Sequence, residues 1–154
     1  MTERIGVISD THGLLRPEAL AALRGCDRII HCGDIGRPEV VEGLCAIAPV
    51  VAIRGNVDRG AWADGYPETA VVEAGGRRLY VLHDLKALEF DPAAAGFAAV
   101  LAGHSHQPRV ARQGGVLYLN PGSAGPRRFR LPVTIARLHV SARRLTARTV
   151  ELSV

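Results

Sequence analysis

The stretch IGVISDTHG, residues 5–13, decides how this chain folds. Its first five residues are apolar or small with no polar alternation. That pattern fits a short strand buried on both faces. The run then stops on Asp10-Thr11-His12. Outward from it, Pro17 stands at a first helical turn, EALAALR follows, and Gly25 marks the stop. Residues 28–32 read as a second strand ending in Gly33-Asp34. Pro38 opens a second helix over EVVEGLCAIA, with Pro49 beyond it, and residues 50–53 form a third strand ending in Arg54-Gly55-Asn56. Strand, helix, strand, helix, strand predicts a parallel sheet with right-handed crossovers.

From Glu68 the pattern changes. TAVVEAGGRRLYVLH (69–83) reads as a hairpin turning on Gly-Gly, RVARQGGVLYLN (109–120) as another, and VTIARLHV with RLTARTVEL (133–152) as a third pair. The last two-fifths of the chain is therefore expected to hold mostly antiparallel strands. The α/β layer feeding a second sheet predicts two stacked sheets with helices outside. Residues 59–67, RGAWADGYP, are the expected flexible loop.

The 154 residues suggest one domain, 1–154, with room for a proper core. Hydrophobic residues at 47% and charged residues at 22% match an ordinary globular chain. The net charge of +4 hints at polyanions. However, 18 of the 19 basic residues are Arg, and Lys86 is the one Lys. In an Ala-rich chain, that bias reads as genome composition, so a nucleic-acid partner is not expected. Cys26, Cys32 and Cys45 lack CxxC spacing and read as free, buried thiols of a reducing compartment. MTERIGVISD begins with acid and base before a short apolar run, which reads as a strand and not a signal peptide. The longest nearly apolar stretch, residues 93–103, falls short of the roughly 20 residues that span a membrane. The expected location is cytoplasmic.

Five predicted core strands end in metal-type donors: Asp10 and His12, Asp34, Asn56, His83, and His104 with His106. In open α/β sheets, ligand sites gather at the carboxyl ends of strands. The seven donors are oxygen and nitrogen with no thiolate. They exceed the needs of one tetrahedral ion and suit two ions sharing a carboxylate. This donor set favours Mn, Fe, Co, Ni or Zn over Ca or Mg, with manganese the expected metal. Gly13, Gly33, Gly55 and Gly103 flank the donors where backbone must come close.

The ordered motifs D-x-H (Asp10, His12), G-D (Asp34), G-N (Asn56), H (His83) and G-H-x-H (His104, His106) resemble the calcineurin-like metallophosphoesterases. SDTHG, HCGD, GNVD and NPGS are similar to the compact prokaryotic phosphodiesterases of that superfamily. The resemblance implies an αββα sandwich, two mixed β-sheets flanked by helices, with a dinuclear site among the loops. It also implies that Asp34 bridges the metals, that Asp10, His12 and His106 complete one site, and that Asn56, His83 and His104 complete the other. Asp34, Asn56 and His104 are the residues expected to carry catalysis.

The chain departs from the pattern twice. Val57 stands where many members carry a His that stabilises the transition state or protonates the leaving group. Asp84 stands where many have Gly, and it either tightens a turn or orients an imidazole. Among the remaining residues, His31 reads as a hydrogen-bonded core or supporting histidine, Asp58 as a loop-fixing carboxylate, Cys32 as a core thiol, and His139 as surface or core. Asn120 of the NPGS stretch, with Arg127, Arg128 and Arg130 beyond it, reads as either a substrate contact or a solvated loop.

The expected function is metal-dependent hydrolysis of a small phosphodiester by a metal-bridged hydroxide, with no covalent enzyme intermediate. The alternatives are a phosphomonoesterase or protein phosphatase, a nuclease, and a non-catalytic scaffold resembling a retromer subunit. A homo-oligomer is compatible with this reading.

Overall fold

The computed structural model describes residues 2–154. The opening apolar run forms strand β1 (Glu3–Ile8), in which residues 5–8 are all buried. Ile5 and Val7 point into the space between two sheets, and Ile8 points into a second cluster that includes the helices. Gly6 lies under helix α1 (Pro17–Leu23), where a Cβ would stand 2.3 Å from Leu23 Cδ2. Strands β2 (Arg28–His31) and β3 (Val50–Ala52) add alongside in parallel. Helix α2 (Pro38–Cys45) connects them, and Ala19, Leu23, Val40, Val41 and Leu44 bury the helical face against Ile8 and Ile29. Helix α2 ends three residues sooner than expected. The residue before a proline avoids the helical region, so the chain turns through residues 46–48 ahead of Pro49. Cys26 and Cys32 are buried as expected, whereas Cys45, the last residue of α2, is exposed.

The second sheet contains β4 (Thr69–Ala74), β5 (Arg77–Leu82), β6 (Ala99–Leu101), β7 (Arg109–Gln113) and β8 (Val116–Asn120), in the order β4-β5-β6-β8-β7. Its three central strands β5, β6 and β8 run parallel. The last hairpin, β9 (Thr134–Val140) with β10 (Leu145–Glu151), does not stay with that sheet. It returns to the first, where β9 pairs antiparallel with β1, giving the order β10-β9-β1-β2-β3. Both sheets are therefore mixed, as the family resemblance implied, rather than one parallel and one antiparallel.

Between the sheets, Ile5, Val7, Ile30 and Leu138 meet Leu79, Val81, Leu101 and Leu117. The outer layers are unequal. Both α-helices cover the first sheet. Among the described residues, no α-helix lies on the second, where Leu88 packs against Leu82, Val100, Ala102 and Val116, and Phe90 and Phe97 gather on Tyr80 of β5 with ring centroids 5.0–5.8 Å apart. Residues 59–67 also differ from expectation. They fold into a 3₁₀ turn (Ala63–Gly65), with Trp62 and Tyr66 packed against the helical core and Arg54 Nη1 donating to the Tyr66 carbonyl at 3.0 Å.

Candidate metal centre

The loops that leave β1, β2, β3, β5 and β6 converge at one end of the two sheets. Backbone hydrogen bonds stitch them together. Asp10 N–H donates to Gly33 O at 3.0 Å, His12 N–H to Asp34 O at 2.9 Å, and Gly103 N–H to His83 O at 3.0 Å. Glycines permit this closeness. A Cβ on Gly55 would lie 2.2 Å from Asp34 Oδ1, and one on Gly103 would lie 2.6 Å from Asp10 Oδ2.

Two trios of ligand atoms result, one from Asp10, His12 and His106 and one from Asp34, His83 and His104, each within 4.8 Å. The two aspartates divide their oxygens in the same way. Asp10 Oδ2 accepts from Ser9 Oγ at 2.7 Å and from His104 N–H at 3.0 Å. Its Oδ1 faces His106 Nε2 at 3.4 Å, His83 Nε2 at 3.8 Å and His12 Nε2 at 3.9 Å. Asp34 Oδ1 accepts from Val57 N–H at 3.1 Å. Its Oδ2 faces His83 Nε2 at 3.2 Å and His12 Nε2 at 3.8 Å, so this oxygen looks toward both trios. His83 donates through Nδ1 to the Cys32 carbonyl at 2.7 Å. That bond fixes the tautomer and leaves the Nε2 lone pair aimed at the cluster.

Three of these inward atoms, Asp10 Oδ1, His12 Nε2 and His83 Nε2, are buried without a hydrogen-bond partner. Leaving one such group unpaired costs about 1–3 kcal/mol. Three converging on one space, all from residue types that ligate divalent transition metals, fit a metal centre. The backbone points the same way. Among the described residues, six non-glycine positions have left-handed backbone, and five of them are Asp10, His12, Asp34, His104 and His106, with φ between 47° and 72°. Each costs roughly 1–3 kcal/mol, and such strain gathers at functional sites.

The electrostatics follow from burial and mutual contact. Burial raises the Asp10 carboxyl above its ordinary range, and the Ser9 hydroxyl and neighbouring imidazoles only partly oppose it. Burial also opposes ionisation of Asp34, but the His83 imidazole overcomes it and, with Val57 N–H and His12, brings this carboxyl down to about 2. Burial lowers His83, yet Asp34 and the Cys32 carbonyl reverse the sign and raise it. Burial holds His106 below the imidazole range. Arg128 adds to that effect against the pull of Asp10.

Asn56 sits exposed on the lip of the centre, between Gly55 and Val57, both of which approach Asp34. Around the cluster lies a supporting layer. Gly33 N–H donates to His31 Nδ1 at 3.1 Å, so the His31 proton is on Nε2 and is donated to Thr11 Oγ1 at 3.0 Å. Thr11 in turn donates to Ile35 O at 2.9 Å. Burial drives His31 down to about 3, which keeps it neutral. Asp58 accepts from Ile35 N–H at 3.0 Å, Gly36 N–H at 2.9 Å and Gly55 N–H at 2.8 Å, clamping the Asp34 loop to the Asn56 loop. Asp84 does the first of the two things that sequence left open, and its other oxygen stands beyond hydrogen-bond distance of an imidazole. Its Oδ1 accepts from Lys86 N–H at 3.0 Å, closing a turn, and its Oδ2 stands 3.7 Å from His104 Nε2.

Asn120 has no free amide atom to offer. Oδ1 accepts from Gly122 N–H at 2.8 Å, and Nδ2 donates to Gly103 O and Ser105 Oγ, each at 3.0 Å. Arg127, Arg128 and Arg130 are exposed. Cys32 is a buried thiol pushed up by burial, and His139 lies half-buried on β9. Sequence reasoning did not single out Ser9 or Ser123. Ser123 Oγ donates to Asp10 O at 3.1 Å. A serine beside a strand end has no signature of its own: Ser9 supports the carboxylate next to it, and Ser123 acts across chain segments.

A stack of two mixed sheets carrying five donor loops at one end, with paired carboxylates and imidazoles, defines a candidate metal centre of the two-sheet α/β class. Residues 4–143 match the calcineurin-like phosphoesterase superfamily domain, and the chain belongs to that superfamily. A probable metallophosphoesterase from Methanothermobacter thermautotrophicus is 31% identical over 158 residues, spanning 95% of this chain and 91% of that protein. Among solved structures, a novel archaeal phosphodiesterase is 24% identical with a TM-score of 0.81, covering 97% of this chain and 99% of the other. Wild-type Vps29 complexed with zinc from Entamoeba histolytica is 21% identical with a TM-score of 0.73, covering 96% and 98%. At those identities, the two structures share the fold. Among the described residues, no helix is long and apolar enough to cross a membrane.

Proposed function

We propose that this chain is a phosphodiesterase with a two-ion centre. Asp10, His12 and His106 hold one ion, Asn56, His83 and His104 hold the other, and Asp34 belongs to both. One observation supports this most directly. Each aspartate spends one oxygen on the protein and leaves the other facing unpaired imidazoles. Manganese is the ion we favour for this thiolate-free set. The free cysteines fit a reducing, cytoplasmic setting.

Two ions bound there supply a low-pKa water nucleophile and positive charge against the phosphoryl oxygens. The chain's own residues position the reaction. Asp34, ionised across the working pH range, holds its Oδ2 between the trios. His104 and Asn56, both exposed, meet the substrate side. Asn120 holds the loop that carries His104 and His106. Arg127 and Arg128 supply the cationic contacts to a phosphate.

Val57 sets the substrate class. Its N–H holds Asp34, while its side chain, 47% exposed, offers neither charge nor proton. A monoester dianion with a poor leaving group needs such help more than a diester monoanion does. In a paired assay on bis-aryl and mono-aryl phosphates, the wild type should have the higher kcat/KM on the diester. Val57→His should shift the ratio toward the monoester by roughly 100-fold. A wild type faster on the monoester overturns the diesterase reading. A protein that takes up metal, hydrolyses neither ester and holds a stable protein partner is the scaffold.

A further inference from the structure

The loop following β8 breaks a local rule. Leu131 N–H donates to Arg128 O at 3.2 Å, closing a four-residue turn with Phe129 at its first central position, where φ is +56°. Turns with positive φ at that place are built with Gly, Asn or Asp. The ring gains nothing inside the fold in return, because Phe129 is 92% exposed. Around it stand the exposed Arg127, Arg128 and Arg130. No Asp or Glu lies between Asp91 and Glu151, a span that holds nine Arg. A strained position with no internal compensation points to function.

The segment that leads into the turn is anchored beside the metal centre. Ser123 Oγ donates to Asp10 O, Ala124 N–H donates to Ser9 O at 3.1 Å, and Arg16 Nη2 donates to Gly125 O at 3.3 Å. The left-handed backbone thus holds an aromatic face in water, four residues beyond Gly125, which lies against the Asp10 backbone, with an arginine on each side of it in the chain.

We infer that Phe129 is the stacking platform for the base of a nucleotidyl phosphodiester, with Arg127 and Arg128 on its phosphate. This rests on the phosphodiesterase reading above and names its substrate class. Bases stack on aromatic side chains, and guanidinium groups pair with phosphate. One ring suits one base, whereas a strand-binding groove uses aromatics in succession.

Two esters with the same leaving group test this inference: the para-nitrophenyl ester of thymidine monophosphate, and methyl para-nitrophenyl phosphate. The wild type should prefer the thymidine ester. Phe129→Gly suits the left-handed backbone, so the turn should hold and the melting temperature should not fall. The preference should nevertheless drop about tenfold, the scale of losing one stacked base. Phe129→Trp should keep the preference, and its added emission, measured against a wild type containing Trp62 alone, should be quenched by thymidine monophosphate. An unchanged preference in Phe129→Gly overturns the inference. So does a Phe129→Trp emission blind to the nucleotide, or the dissociation of a dimer in Phe129→Gly, which would assign the ring to a second copy. If the wild type hydrolyses neither ester, the diesterase reading fails, and the fluorescence titration alone decides whether the base site exists.

Discussion

Asp34 joins the two halves of the cluster, since one of its oxygens faces an imidazole from each trio. Asp34→Asn keeps the shape but removes the charge, so it should lower occupancy at both ion sites together. Elemental analysis of the metal-loaded variant checks this, and full double occupancy would contradict the shared role. His83 sets the pH dependence. Its pKa is raised in the metal-free fold. The proton it holds therefore stabilises the metal-free protein below the ordinary imidazole pKa, and that contribution is lost as pH rises through the raised value. An incoming ion must displace this proton, so apparent metal affinity should climb as pH rises and level off above the raised pKa. Calorimetry near pH 6.5, in two buffers of different ionisation enthalpy, should show proton release. A buffer-independent heat would rule it out. At this scale the donor types and their strand-end positions were legible in the sequence because both are local, and the structure brings six of them, Asp10, His12, Asp34, His83, His104 and His106, into two trios. The oxygen-by-oxygen geometry was not, because residues as far apart as Asp10 and His106 meet only in the fold.

At the scale of elements, the centre is made by loops, and loops need to be fixed. Asp58 does this by accepting three backbone N–H groups from two different loops. Asp58→Ala would strand those donors, at about 1–3 kcal/mol for a buried one left unpaired. The expected result is a lower melting temperature and weaker metal binding from a variant that has lost no ligand. A variant with wild-type affinity would show that the loops hold without the clamp. The sequence marked Asp58 as fixing a loop. It did not mark residues 59–67 as packed, because Gly, Asp and Pro in RGAWADGYP outweighed Trp62 and Tyr66, which supply the packing. The strands and hairpins were legible throughout, since alternation and Gly-Gly turns are local signals.

Across the whole molecule, the last hairpin supports the first strand. Leu138 on β9 is fully buried between the sheets and lies beside Ile5 in the β1 ladder, far along the chain from every donor. Leu138→Ala should cost about 2–5 kcal/mol through lost burial and a cavity, read as a lower denaturation midpoint. The surviving folded protein should still take up metal. A midpoint within error of the wild type would mean that the core collapses around the gap. The sequence by itself determined the elements, the residue types at the strand ends and the family resemblance, because periodicity, turn residues and motif order are properties of short segments. Only the tertiary structure decided that β9 and β10 rejoin the first sheet, that both α-helices cover one side, that Asn120 is committed to a loop, and that Phe129 stands in water. The physical reason is that strand pairing, burial and hydrogen-bond satisfaction are settled between segments distant in the chain, where no local pattern specifies the partner.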